Sequence, residues 1–580
     1  MQSALRTAIA LAVLCLPLAA ADRGPHKVKT ERGVSTEMRD GVELIADIYR
    51  PDGDGKFPVM LQRTPYNRDG ARSSGPILAS HGYVVIIQDT RGRYDSEGDF
   101  YPFLNESNDG YDTVGWAARL PYSNGDVGMF GGSYVGATQM LCAMAAPPNL
   151  KAIFPYVTAS EYYDAWTYQS GALMQWFASS WTSGLAADTL RREVARRARL
   201  TDWAFQLPVE DYKLMSLPEP DEIAPYYDEW VKHETDDGFW KRWKVSDHYS
   251  QMNIKGLHGM GWHDIFLKGS IKNFTGLRAS AKTAEARENQ RMLMGPWAHA
   301  GTSPEGKVGD VVFGKQAVAD MNQITIDWFD YALKEKRNKF ATDAPIQLFV
   351  MGENVWRGEQ EWPLARTQHT RYYLRSSSQT RGGVLSTEKP ASEAPDRFTY
   401  DPANPVRTIG GRLCCGDAIP PGPWDQSSNE GRDDVLVFST PPLEQAVEVT
   451  GHIEVELYAS SDARDTDFTA MIVDVDPDGY ARFLTDGIVR ARYRKNTSKA
   501  EPIVPGKIYK YTIDLWATSN LFKKGHEMRV YISSSNFPRF NRNLNTGEQT
   551  SNATAIVAAR QMIYHDAEHP SAIVLPVIPR

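Results

Sequence analysis

Ser133 stands where a serine could become a nucleophile. It follows Gly131-Gly132 at the end of a short apolar run, Val127–Phe130, and precedes a small-residue stretch opened by Gly136. A serine hydroxyl attacks a carbonyl only when a base activates it and a sharp strand-to-helix turn exposes it. Small neighbours allow the backbone to make that turn. Tyr134 would then open the helix and aim its backbone N–H at a developing oxyanion. The strict Gly-x-Ser-x-Gly spacing is not met, since Val135 holds the second glycine position. The plain alternative is an ordinary serine in a glycine-rich turn.

A serine nucleophile needs a base, and the base needs an orienting acid. In an α/β hydrolase the chain order is serine, acid, histidine. The strand-like run Ile254–Met260 leads into Gly261-Trp262-His263-Asp264, and Arg291–Met294 leads into Gly295-Pro296-Trp297-Ala298-His299. Asp264 and His299 thus each follow the carboxyl end of an expected strand, where α/β sheets place their sites. His263 is the rival base, but neighbours on an extended segment point to opposite faces, so it is expected to be structural. Tyr66, in Gln62-Arg63-Thr64-Pro65-Tyr66 after an early strand, offers a phenol as a second oxyanion donor. Its plain reading is a half-buried loop aromatic.

The elements that must position these groups are legible in the patterning. Val42–Tyr49, Phe57–Leu61, Tyr83–Gln88 and Val127–Phe130 read as strands, with Asp109–Leu120 and Ala137–Ala145 as helices between them. Such alternation argues for a mainly parallel sheet covered on both faces. Aromatic and Arg-rich helical segments such as Leu190–Phe205 then take over, without convincing strands. Strands return at Gly256–Met260 and Arg291–Met294, followed by a helix over Val318–Lys334. Beyond Arg366 the pattern has period two: Ile453, Val455 and Leu457 alternate with His452, Glu454 and Glu456, and Tyr509, Tyr511, Ile513 and Leu515 with Lys510, Thr512 and Asp514. The expected organisation is a leader over 1–21, an α/β core over 22–157 and 251–365, an inserted helical cap over 158–250, and an all-β jelly roll over 366–580.

Composition sets outer limits. At 580 residues the chain is long enough for about two to four domains. With 64 Lys plus Arg against 72 Asp plus Glu, the net charge of −8 gives no basic field for nucleic acid. Residues 1–21 combine Arg6, an apolar run and Ala19-Ala20-Ala21, the layout of a cleavable export signal; the run is too short for a stable membrane anchor. Cys142 reads as an inert core thiol. Cys414-Cys415 is a vicinal pair that could bond in an oxidising compartment, closing a tight ring. Oligomeric state is not encoded in any pattern here, and a homo-oligomer is allowed.

Five motifs taken together go further. Arg63–Tyr66, Gln88–Arg93 with Ser96–Gly98, Gly131–Tyr134, Gly261–Asp264 and Gly295–His299 resemble the cocaine esterase and X-Pro dipeptidyl-peptidase family of serine hydrolases. Asp433–Val437, Asp465–Phe468 and Asp486–Arg490 are similar to that family's C-terminal domain. The resemblance implies an α/β-hydrolase core, a helical cap and a C-terminal jelly roll. It implies Ser133 as nucleophile, His299 as base and Asp264 as orienting acid, with Tyr66 through its hydroxyl and Tyr134 through its N–H forming the oxyanion hole. Trp166 and Trp181 match cap tryptophans that line the acyl pocket in cocaine-esterase-like members, and Phe266 matches an aromatic just after the acid. Core packing is the plain reading of all three.

In the amino-acid ester hydrolase branch, acidic residues follow the acid and hold the substrate ammonium. Here Ile265, Phe266 and Leu267 stand there, so an uncharged or apolar acyl group is expected. Glu161 or Asp164 would have to supply any compensating charge. X-Pro dipeptidyl-peptidase activity and β-lactam (glutaryl or amino-acyl) acylase activity are the enzymatic alternatives. A secreted polysaccharide-binding protein with an inert hydrolase domain is the non-enzymatic one. Asp474–Gly479 starts like a calcium loop, but Pro477 and Gly479 suit a tight turn and Thr485 replaces the bidentate Glu. No zinc or phosphate-loop motif is present, and no cofactor or metal is expected.

Overall fold

The computed structural model describes residues 24–197, 220–377 and 381–580. The leader read at 1–21 and the part of Leu190–Phe205 beyond Arg197 lie outside them.

Ten strands build the core sheet: β1 (Val28–Glu37), β2 (Glu43–Pro51), β3 (Phe57–Thr64), β4 (Val84–Asp89), β5 (Ser123–Gly132), β6 (Leu150–Tyr156), β7 (Lys255–His263), β8 (Gln290–Ala298), β9 (Ile346–Val350) and β10 (Val355–Glu359). Their spatial order is β1-β2-β4-β3-β5-β6-β7-β8-β9-β10. The run from β4 to β9 is parallel, and antiparallel strands close both ends. β4 shows why: every residue of Val84–Asp89 is buried, as a parallel strand covered on both faces requires. Val84 and Ile86 pack on one face with Val114, Met140 and Leu141, while Val85 and Ile87 pack on the other with Ile326, Trp328 and Phe329. The first group brings in helices α1 (Glu106–Ala118) and α2 (Tyr134–Met144), the second the helix Met321–Lys334. Gly128 lets that last helix approach the sheet, since a Cβ there would lie 2.2 Å from the Phe329 ring.

Helix starts differ from the patterned ones by about a turn. α1 begins at Glu106 instead of Asp109, and α2 at Tyr134 instead of Ala137. The Met321 helix begins three residues later than Val318, because the Asp320 side chain accepts the Gln323 N–H and caps it there. Among the described residues between β6 and β7 the chain is mainly helical, with α3 (Gln175–Arg197) the longest element there. That stretch also holds a small hairpin, Tyr168–Gln169 with Ala172–Leu173, whose two-residue strands are too short to leave a period in the sequence.

Eleven further strands, from Gln368–Ser376 to Ala572–Ile578, form a C-terminal β-rich domain. Ile453, Val455, Leu457, Tyr511, Ile513 and Leu515 are buried as the alternation requires. They share one apolar cluster with Met260, Trp262, Met294 and Leu348 of the core sheet, so the β domain leans on the strands that carry Asp264 and His299. The Asp474–Gly479 segment is a tight turn between two antiparallel strands, with the Gly479 N–H bonded to the Asp476 carbonyl.

Candidate active site

Ser133 caps the end of β5 with φ 61° and ψ −128°, a conformation a non-glycine residue holds only when its surroundings impose it. Here the impositions are visible. The Ser133 N–H bonds the Tyr156 carbonyl at 3.0 Å. A Cβ on Gly132 would strike the Tyr156 ring at 2.2 Å, and one on Gly131 would strike Val135 at 2.3 Å. The departure from Gly-x-Ser-x-Gly is thereby explained: Val135 fits because Gly131 has no side chain. Gln139 fastens the turn from α2, donating to the Gly131 carbonyl at 2.9 Å and accepting the Phe154 N–H at 3.1 Å.

Asp264 follows β7, and its carboxylate is fully buried. One oxygen accepts the Phe266 N–H at 2.8 Å, and the other lies 2.6 Å from His299 Nδ1. His299 Nε2 in turn lies 2.9 Å from Ser133 Oγ. An ionised carboxylate only accepts, so Nδ1 carries the proton and Nε2 is left to accept from the serine hydroxyl. Ser133 is 4% and His299 8% exposed, which keeps the chain of hydrogen bonds largely out of bulk water. His263 points away: neither of its ring nitrogens has a hydrogen-bond partner among the described residues. Burial first, then Arg412 and Arg482, pushes its imidazole down to about 3, so it stays neutral and does not compete as a base.

The two candidate oxyanion donors converge on the serine. The Ser133 side chain and the Tyr134 backbone N–H are among the neighbours that stabilise the ionised Tyr66 phenol. Burial raises the phenol above the ordinary range, and those neighbours pull it back. β3 and β5 are neighbours in the sheet, which is what brings the strand end bearing Tyr66 beside Ser133.

Behind this pair lies a group that the sequence did not single out. The Tyr134 hydroxyl donates to Glu106 at 2.9 Å and accepts the Phe103 N–H at 2.9 Å, while the other Glu106 oxygen accepts from Arg63 at 2.7 Å. Arg63 sits three residues before Tyr66, so one buried ion pair ties both donor-bearing segments together. Burial raises the Glu106 carboxyl, and Arg63 opposes the rise. Nothing in a lone Glu at a helix start signals this; only its burial does. Glu106→Ala should destabilise the fold by about 3 kcal/mol, since it takes away the carboxylate bonded to Arg63 at 2.7 Å and leaves that buried guanidinium only Asp109 as a charged partner, 3.8 Å away. Glu106→Gln, which keeps an acceptor, should cost clearly less. Urea midpoints of the two variants check this, and equal midpoints for Ala and wild type would remove the pair from the account.

Trp166, Trp181 and Phe266 meet in one aromatic wall. Phe266 stacks on Trp166 with centroids 4.1 Å apart and planes within 6°, and presents its edge to His299 at 5.3 Å. Trp181 lies edge-on to Trp166 at 5.9 Å and stacks beside Tyr134 at 5.8 Å. The carboxylates that might have balanced an ammonium are engaged elsewhere. Asp164 pairs with Lys268 at 2.7 Å, and Glu161 pairs with Lys272 and accepts from Ser246 at 2.8 Å. Cys414 and Cys415 are bonded to each other, and Cys142 is a buried free thiol pushed up to about 12 by burial. Among the described residues no cluster of His, Cys, Asp or Glu is arranged to hold a metal, and no helix is long and apolar enough to cross a membrane.

Residues 40–301 match the family model described as X-Pro dipeptidyl-peptidase (S15 family), and residues 338–574 match that of the X-Pro dipeptidyl-peptidase C-terminal non-catalytic domain. The chain is 38% identical to cocaine esterase of Rhodococcus sp. (strain MB1 Bresler), over 94% of this chain and 98% of that protein. Among solved structures it is similar to an aminopeptidase from a marine sediment Thaumarchaeota archaeon (26% identity, TM-score 0.80, 96% of this chain and 97% of that one). It also shares its fold with an α-amino acid ester hydrolase (24% identity, TM-score 0.78, 97% and 98%).

Proposed function

Because this chain belongs to the X-Pro dipeptidyl-peptidase (S15) family of hydrolases, we propose that it cleaves an ester or amide through an acyl-enzyme on Ser133, with an uncharged or apolar acyl group. The observation that carries the mechanism is the continuous hydrogen-bond chain Asp264–His299–Ser133. His299 takes the serine proton as Oγ attacks the carbonyl carbon, and the C–O bond to Ser133 forms. The oxyanion is met by the Tyr66 hydroxyl and the Tyr134 N–H. On collapse His299 gives its proton to the leaving group, then takes one from water to release the acid. Asp264 holds the imidazole in the tautomer that makes both transfers possible.

The acyl preference rests on the wall of Trp166, Trp181 and Phe266 and on the lysine-paired state of Glu161 and Asp164. An ammonium against those rings would lose water and gain no carboxylate. A panel of p-nitrophenyl butyrate, benzoyl esters, glutaryl and phenylacetyl amides and a Gly-Pro or Ala-Pro amide tests this. The neutral phenylacetyl amide should exceed the Pro amide in kcat/KM by at least about tenfold, the cost of one unpaired buried polar group. Preference for the Pro amide would overturn the apolar reading and favour dipeptidyl release, as the family's description suggests. Export of the mature protein belongs to the same proposal. Its support is the leader-like composition of residues 1–21 and a Cys414–Cys415 bond of the kind that persists in oxidising compartments.

A further inference from the structure

Trp181 does more than pack. Its indole Nε1–H donates to the Tyr66 hydroxyl oxygen at 3.0 Å, and an indole nitrogen can only donate. The phenol has a single proton. With Trp181 bonded to its oxygen, that proton is turned away from the cap, and Ser133 is among the phenol's other neighbours. The hydrogen bond also opposes the rise that burial imposes on the Tyr66 phenol, which makes the O–H a better donor.

The geometry is fixed from both sides. Arg93, fully buried, donates through Nε to the Pro65 carbonyl at 2.9 Å, next to Tyr66. Through Nη1 it donates to the Leu185 carbonyl at 3.0 Å, one helical turn beyond Trp181 on α3. Asp188 on the same helix accepts the Tyr94 N–H at 2.9 Å, and Arg192 donates to the Tyr94 carbonyl at 2.6 Å. One guanidinium thus spans the loop that bears the oxyanion donor and the cap helix that bears the indole. Trp166 provides the contrast. It is equally buried in the same wall, yet its indole nitrogen has no hydrogen-bond partner among the described residues.

We propose that Trp181 is a positioning residue that orients the Tyr66 hydroxyl as an oxyanion donor, so that the oxyanion hole is complete only when the cap helix is seated. The proposal rests on Ser133 acylation as set out above.

The test is the second-order rate at which a fluorophosphonate probe labels Ser133 in wild type, Trp181→Phe, Tyr66→Phe and the double variant. Labelling requires no knowledge of the natural substrate, and its phosphonyl oxygen calls on the same donors. Phe keeps an apolar ring and removes only the N–H and part of its area. Trp181→Phe should slow labelling by about 3- to 12-fold, the worth of one ordinary hydrogen bond to a catalytic group. Tyr66→Phe should slow it by about 10²–10³-fold, and the double variant should fall within about twofold of Tyr66→Phe alone, because the indole then has nothing to orient. With p-nitrophenyl butyrate the hydrogen-bond part of the Trp181→Phe loss should lie in kcat, and any change in KM from trimming the wall should be matched by Trp166→Phe. Trp166→Phe trims the same wall without touching Tyr66, so its loss, whatever its size, should multiply with that of Tyr66→Phe. A Trp181→Phe rate equal to wild type, or a loss that multiplies with Tyr66→Phe, overturns the positioning role. Absence of labelling in wild type would overturn the Ser133 reading itself, a distinct result.

Discussion

Ser133→Ala is expected to cut hydrolysis of every acyl substrate the protein turns over by about 10⁴–10⁶-fold, while its thermal and urea midpoints stay at or above those of wild type. The size of the loss follows from what remains. Without Oγ no acyl-enzyme can form, and the Tyr66 and Tyr134 donors can assist only direct attack by water. The fold should be unharmed, because the serine hydroxyl bonds only outward to His299 and towards Tyr66. The backbone contact that holds the turn, Ser133 N–H to Tyr156 carbonyl, survives in alanine. Purified wild type and variant assayed side by side on p-nitrophenyl butyrate decide the matter. Turnover in the variant within tenfold of wild type would sink the assignment of Ser133, and with it the nucleophilic mechanism.

Asp264→Asn should lower kcat by about 10⁴-fold with little change in KM. The carboxylate is fully buried, and its two oxygens have separate tasks: one accepts the Phe266 N–H at 2.8 Å, the other faces His299 Nδ1 at 2.6 Å. An asparagine can keep the first contact with its carbonyl oxygen, which forces its NH₂ towards Nδ1. The imidazole must then carry its proton on Nε2, where it meets Ser133 as a second donor instead of an acceptor. The aromatic wall of Trp166, Trp181 and Phe266 is untouched, so the binding proposed for it should persist. A loss below about tenfold would show that another group orients His299, and a rise in KM without a fall in kcat would place Asp264 in binding rather than in proton transfer.

Much of this could be read along the chain because strands and turns leave local marks. Gly131-Gly132 before Ser133 and a strand end before Asp264 and before His299 are properties of short segments. The alternation of Ile453, Val455 and Leu457 with polar residues is another. The mainly parallel sheet follows from strand-like runs separated by helical ones, and the family resemblance reached the same core from five separated motifs. Helix starts were read less well, because capping is a matter of one side chain such as Asp320 finding one N–H.

The residues that escaped were those whose meaning is purely spatial. Glu106 is an ordinary acid at a helix start until the fold buries it between Arg63 and the Tyr134 hydroxyl. Glu161 and Asp164 could be read as free to meet an ammonium until Lys272 and Lys268, on one helix with residues just past Asp264, are seen to occupy them. Trp181 could be read only as a ring, since no spacing in the chain links an indole in the cap to a phenol 115 residues earlier.

The sequence by itself therefore determined the order and identity of the candidate reacting groups, because the strands and turns that present them are encoded within a few residues of each. The tertiary structure alone decided what those groups face. Hydrogen-bond partners, paired charges and the aim of a single phenolic proton depend on which segments the sheet order and the cap bring within 3 Å of one another, and that distance is set by packing between elements rather than by position along the chain.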